Sequence, residues 1–64
     1  MRINGEEFKL QTGTTLVDIL SKKNYPLDRV AIELNGEIVP KASYETIALS
    51  DADSIEIVSF VGGG

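Results

Sequence analysis

The residues most able to take part in chemistry lie together at one end of the chain. Ser59-Phe60-Val61 reads as the end of a strand running into Gly62-Gly63-Gly64, and the reacting group would be the carboxylate on Gly64. Three successive glycines lack Cβ atoms and sample both signs of φ, so they thread a narrow cleft and present a terminal carbonyl without crowding it. Val61 to Gly64 span at most roughly 13–14 Å when extended, enough to carry the terminus into another protein's active site. At neutral pH a carboxylate is ionised and a poor electrophile, so acyl chemistry at Gly64 requires activation from outside the chain.

The remaining residues offer no such activation. The sequence contains no cysteine and no histidine. That leaves no disulfide, thiolate metal site or cysteine nucleophile, and removes the commonest general base. No glycine-rich phosphate loop is present. The acidic neighbours Glu6-Glu7 and Asp51-Asp53 fall in expected turns without supporting ligands, and read as solvated surface rather than a metal or acid–base pair. The chain therefore reads as substrate, carrier or binder rather than enzyme, with no metal and no cofactor of its own. A net charge of −4 argues against nucleic acid as a partner and suggests a basic docking surface on whatever binds it. No apolar run is long enough for a membrane span, and Met1-Arg2-Ile3-Asn4-Gly5 has no signal-peptide core, so a cytoplasmic protein, monomeric when free, is expected.

Sixty-four residues allow one small core. The expected organisation is a folded body over residues 1–61 and a flexible glycine tail over 62–64. Asn4-Gly5, between Arg2-Ile3 and Phe8-Lys9-Leu10, predicts a type I′ hairpin with Ile3, Phe8 and Leu10 inward and Arg2, Glu7, Lys9 and Gln11 outward. Thr15-Leu16-Val17-Asp18 fits a capping box with Asp in place of the usual Glu, and Leu16, Ile19 and Leu20 follow at helical spacing. The helix is expected over about Leu16 to Lys23, stopped by Asn24 and Pro26. Val30, Ile32 and Leu34 then alternate toward a second turn at Asn35-Gly36 and a return strand closed by Pro40. Residues 41–53 predict an irregular or single-turn segment and one short strand around Tyr44, Ile47 and Leu49. Ser54 to Phe60 is the last strand, β-branched and alternating.

Hairpins on either side of a single helix imply an α+β fold, a mixed sheet of four to five strands packed on one helix. With one helix available, only one face of the sheet is covered. If Ile55 and Ile57 face the helix, Val58 and Phe60 stand on the other face, forming with Val61 an apolar docking surface beside the tail. The alternative is that Tyr44, Ile38 or a loop covers them.

Val30-Ala31-Ile32-Glu33-Leu34-Asn35-Gly36-Glu37-Ile38-Val39-Pro40, the run Asp53 to Val61 and the terminal glycines resemble the ThiS family of thiamin-pathway sulfur carriers, ubiquitin-like β-grasp proteins, over nearly the whole chain. The resemblance implies that the carboxylate of Gly64, with Gly63 and Gly62 as its tail, is adenylated with ATP by a ThiF-like partner and converted to a thiocarboxylate. It further implies a cysteine-desulfurase sulfur source and a ThiG-like thiazole synthase that receives the sulfur. Ala52 departs from an Asp-Gly-Asp turn frequent in the family, which bears on local turn geometry only. The small subunit of molybdopterin synthase shares this fold and ending, though such chains tend to be longer. A non-covalent β-grasp interaction module and a lysine-linked protein modifier are the rivals from other classes.

Overall fold

The computed structural model describes residues 1–60. Its elements, in order, are β1 (Arg2–Ile3), β2 (Glu6–Glu7), α1 (Leu16–Lys22), β3 (Val30–Leu34), β4 (Glu37–Ile38) and β5 (Ser54–Ser59), with single 3₁₀ turns at Leu27–Arg29 and Lys41–Ser43. The strands form one mixed sheet in the order β2-β1-β5-β3-β4, covered on one face by α1. This is the expected α+β arrangement of one helix on a mixed sheet.

Both hairpins form where Asn-Gly predicts them. Asn4 and Gly5 have φ of 52° and 82°, and Asn35 and Gly36 have 51° and 88°, the paired positive values that a type I′ turn requires. Open space surrounds both glycines where a Cβ would stand, so it is backbone conformation rather than crowding that selects glycine. The ordered strands are short. β2 ends before Phe8, yet Phe8 N–H still donates to Met1 O at 2.9 Å and continues the pairing informally. Ile3 is buried, whereas Phe8 and Leu10 are only partly so.

The helix begins with the predicted reciprocal cap. Asp18 N–H donates to Thr15 Oγ1 at 3.1 Å, and Thr15 N–H donates to Asp18 Oδ2 at 3.0 Å, so two of the unpaired donors at the N-terminus are satisfied. The helix ends one residue earlier than expected, with Lys23 as its cap. Asn24 adopts φ 62°, its N–H donates to Ser21 O at 3.1 Å, and Tyr25 N–H donates to Leu20 O at 2.8 Å. That pair of bonds is a Schellman closure, with asparagine supplying the left-handed residue. Replacing Thr15 with Ala removes one side of the cap and should lower stability by about 1 kcal/mol in urea denaturation. A change within error would show that solvent replaces the cap without cost.

Leu16, Ile19 and Leu20 from α1 meet Ile3, Val30, Ile32, Ile55 and Ile57 from the sheet to form the core. Leu34 lies at its margin, partly buried.

Of the single turn and short strand expected within residues 41–53, the turn forms at Lys41–Ser43 and the strand does not. After the turn at Lys41–Ser43 the backbone bonds to itself, with Thr46 N–H and Ile47 N–H both donating to Ser43 O. Tyr44 instead fills the core, and its carbonyl accepts the Leu16 N–H at 3.1 Å. A segment anchored by a large aromatic and closed by local turns does not extend as a ladder partner.

The turn entering β5 contains Ala52 without strain, since Ala52 is not among the residues with positive φ. Asp53 organises this turn. Its Oδ2 accepts from Ser50 N–H at 2.8 Å, and its own N–H donates to Ser50 O at 3.0 Å.

Candidate functional site

The site is built around β5, the central strand. β5 pairs parallel with β1, Arg2 opposite Ser54 and Ile3 opposite Ile55, and antiparallel with β3, from Val30 opposite Ser59 to Leu34 opposite Ile55. Phe60 N–H donates to Arg29 O at 2.7 Å, carrying the β3 pairing one residue past the strand. The last described residue is thus fixed in direction by its neighbour.

On the β1 side the ladder is shorter, and a side chain extends it. Asn4 N–H donates to Ile55 O at 2.9 Å; beyond that point the Asn4 carboxamide takes over. Its Oδ1 accepts from Ile57 N–H at 2.7 Å and its Nδ2 donates to Ile57 O at 3.3 Å. One asparagine therefore shapes a turn with its backbone and acts as a strand residue with its side chain. At the other hairpin, Asn35 Oδ1 accepts from Ser54 N–H at 2.9 Å, and Asn35 Nδ2 donates to Asp53 Oδ1 at 2.9 Å. The two Asn-Gly turns thus grip β5 at its start and middle. Turn chemistry makes the two asparagines visible in the sequence, but nothing local reveals what their amides hold.

Side chains alternate along β5 as expected. Ile55 and Ile57 are buried against the helix side, while Val58 and Phe60 are each 54 % exposed on the uncovered face. None of the three proposed covers, Tyr44, Ile38 or a loop among the described residues, closes over them. Tyr44 is in the core at 3 % exposure, and Ile38 is itself 67 % exposed. Because Glu33 pairs with Ile38 and Ala31 with Val58, all four lie on the same face as Phe60. Ile38 is thus part of the open face and not its cover. The two-residue turn fixes its register opposite Glu33, and that register could have placed it on the open face. Glu33 and Glu56 stand directly opposite each other on the same surface and give it an acidic margin. Val61, Gly62, Gly63 and Gly64, together with the boundary between body and tail, lie outside the described residues.

Glu6, Glu7 and Asp51 are exposed, as read from the sequence, while Asp53 serves the turn and the Asn35 amide. Among the described residues, no group of three or more His, Cys, Asp or Glu side chains is placed to hold a metal ion, and no helix is long and apolar enough to cross a membrane.

Comparison with known proteins places this geometry in context. The model of the ThiS family matches residues 1–64. The chain is 40 % identical to the sulfur carrier protein ThiS of Bacillus subtilis over 65 aligned positions, covering all of this chain and 98 % of that protein. It is 45 % identical over 62 residues to a thiazole synthase of Paramagnetospirillum magneticum, covering 97 % of this chain but spanning only 19 % of that protein's length. The crystal structure of the thiamine biosynthesis protein ThiS from Geobacter metallireducens superposes with a TM-score of 0.77 at 27 % identity, covering 98 % of this chain and 96 % of that one.

Proposed function

The chain belongs to the ThiS family, and from that membership we propose that it is a sulfur carrier for thiazole formation in thiamin biosynthesis, with the carboxyl of Gly64 as the group that is charged. The observation that carries this reading is the end-to-end match to the Bacillus subtilis sulfur carrier, which covers all of this chain and 98 % of that protein. Adenylation of the carboxylate with ATP releases pyrophosphate and supplies a leaving group that the ionised acid lacks; attack on the acyl carbon by hydrosulfide, freed from the donor's persulfide by a thiol reductant, then forms the C–S bond as the bond to AMP breaks and leaves a thiocarboxylate. The ATP and the catalytic groups belong to a ThiF-like partner, and the sulfur comes through a cysteine-desulfurase source. The chain contributes a shaped body and a slender acyl tether, as a group-carrying cofactor would.

A thiazole synthase is the acceptor this reading favours. In the Paramagnetospirillum magneticum thiazole synthase, a segment similar to this chain shares one polypeptide with a much longer remainder, which supports functional pairing of the two parts. Val58, Phe60 and Val61 form the docking surface in this proposal, since apolar side chains left uncovered beside a reacting terminus suit a partner's apolar patch. Replacing Phe60 with Glu should weaken binding to the adenylating partner by about tenfold or more in calorimetric titration, with an unchanged melting temperature. Equal affinity would remove Phe60 from the interface.

The direct test is intact mass. Incubation with the adenylating partner, ATP and a sulfur source should raise the mass by one oxygen-to-sulfur exchange, located by fragmentation to Gly64. A chain that stays unmodified under conditions that charge the Bacillus subtilis protein would overturn the assignment.

A further inference from the structure

We propose that Asn35-Gly36 is a site of spontaneous deamidation that the native fold holds in check, and that its conversion releases the latch at the start of β5. The chemistry requires only the chain and water. The Gly36 peptide nitrogen attacks Asn35 Cγ, a C–N bond forms, and the side-chain nitrogen leaves as ammonia to give a cyclic imide. Water then opens the ring at either carbonyl, leaving aspartate or isoaspartate. The net change is one amide plus one water giving one carboxyl and one ammonia.

Among the described backbone hydrogen bonds none is donated by the Gly36 N–H, and, its chain neighbours aside, nothing lies within 4 Å of where a Cβ on Gly36 would stand, so the turn is uncrowded on that side. The electrophile is restrained. Asn35 Oδ1 accepts from Ser54 N–H and its Nδ2 donates to Asp53 Oδ1, both at 2.9 Å, so the carboxamide cannot swing over its own following peptide bond without breaking both contacts. Ring closure therefore waits for local opening of this turn from β5. Asn4-Gly5 has the same open glycine and a carboxamide held on Ile57.

The consequences at the two sites differ. Conversion at position 4 to aspartate keeps the short bond from Ile57 N–H, but sets a carboxylate oxygen against the neutral carbonyl of Ile57 in place of the 3.3 Å donation. Conversion at position 35 replaces the donor facing Asp53 Oδ1 with a second carboxylate oxygen. Two anions then face each other where a hydrogen bond had been, at the turn that feeds the central strand. The latch does not close again in its former geometry, and the change is irreversible.

The proposal is tested on the whole chain. Peptide mapping of protein aged in native buffer and in denaturant should show deamidation at Gly36's neighbour at least about tenfold slower in the native state. Asn35→Asp should lower the melting temperature by at least about 5 °C. Combining it with Asp53→Asn should restore most of that loss, because the exchanged pair again has one donor facing one acceptor, and the new amide oxygen still accepts from Ser50 N–H. Rescue by the exchange holds even if the single variant fails to fold. Equal ageing rates in the two conditions, or a double variant no more stable than Asn35→Asp alone, would overturn the proposal.

Discussion

Removal of Gly63 and Gly64 is expected to abolish thiocarboxylation while leaving the melting temperature within about 2 °C of the full chain. The truncated chain still ends in glycine, at Gly62, and still carries a carboxylate of the same intrinsic reactivity. What it loses is reach, roughly 7 Å of extended backbone. An acyl group held that far from the nucleotide cannot adopt the near-attack geometry on which proximity depends, and misplacement by even 1 Å is costly to a positioned reaction. The body has no reason to respond, because every core residue and strand pairing described above lies within residues 1–60. Intact mass after incubation with the adenylating partner, ATP and a sulfur source reads the outcome. A truncated chain modified as efficiently as the full one would show that Gly64 is not the charged residue. A truncated chain that melts many degrees lower would show that the tail supports the fold.

The second large effect is on stability. Ile55→Ala is expected to cost about 2–5 kcal/mol, because a fully buried side chain leaves a cavity as well as losing its transfer energy. A domain of this size has roughly 3–10 kcal/mol in total, so the variant should melt at least about 10 °C lower and be partly unfolded near 37 °C. Ile55 is vulnerable for a topological reason. It stands opposite Ile3 in the parallel pairing and Leu34 in the antiparallel one, so a single cavity loosens both halves of the sheet. Val58→Ala, three residues on and half exposed, should cost less than about 1 kcal/mol. Thermal denaturation followed by circular dichroism separates the two, and similar melting temperatures for both variants would refute this account of the core.

The contrast between local and distant determinants also explains what could be read from the sequence. Asn4-Gly5, Asn35-Gly36 and the Thr15–Asp18 box were legible because each encodes its structure within four residues. The outward placement of Val58 and Phe60 was legible for a similar reason, since alternation is a property of one strand. The position of β5 between β1 and β3 was not, because pairing Ile3 with Ile55 across the length of the chain leaves no mark in either neighbourhood. The same limit hid the amide grips of Asn4 and Asn35. Tyr44 is open to two readings in the sequence, as core or as a cover for the other face, because composition alone assigns its ring to neither side of the sheet. The turn at Lys41–Ser43 decides the matter, ending on Tyr44 with its side chain in the core and its carbonyl on the Leu16 N–H.

The central place of β5 has a consequence for biosynthesis. Among the described residues the two hairpins, β1 with β2 and β3 with β4, share no ladder with each other and are joined into one sheet through this strand, which follows both in the order of translation. A nascent chain on the ribosome can form each ribbon and the helix between them, yet isolated two-stranded ribbons are marginal in water. The sheet therefore assembles only once β5 has been made, so a fragment released before Ser59 has no stable body. Whether the two ribbons become one body is, in this architecture, decided by the six residues of β5.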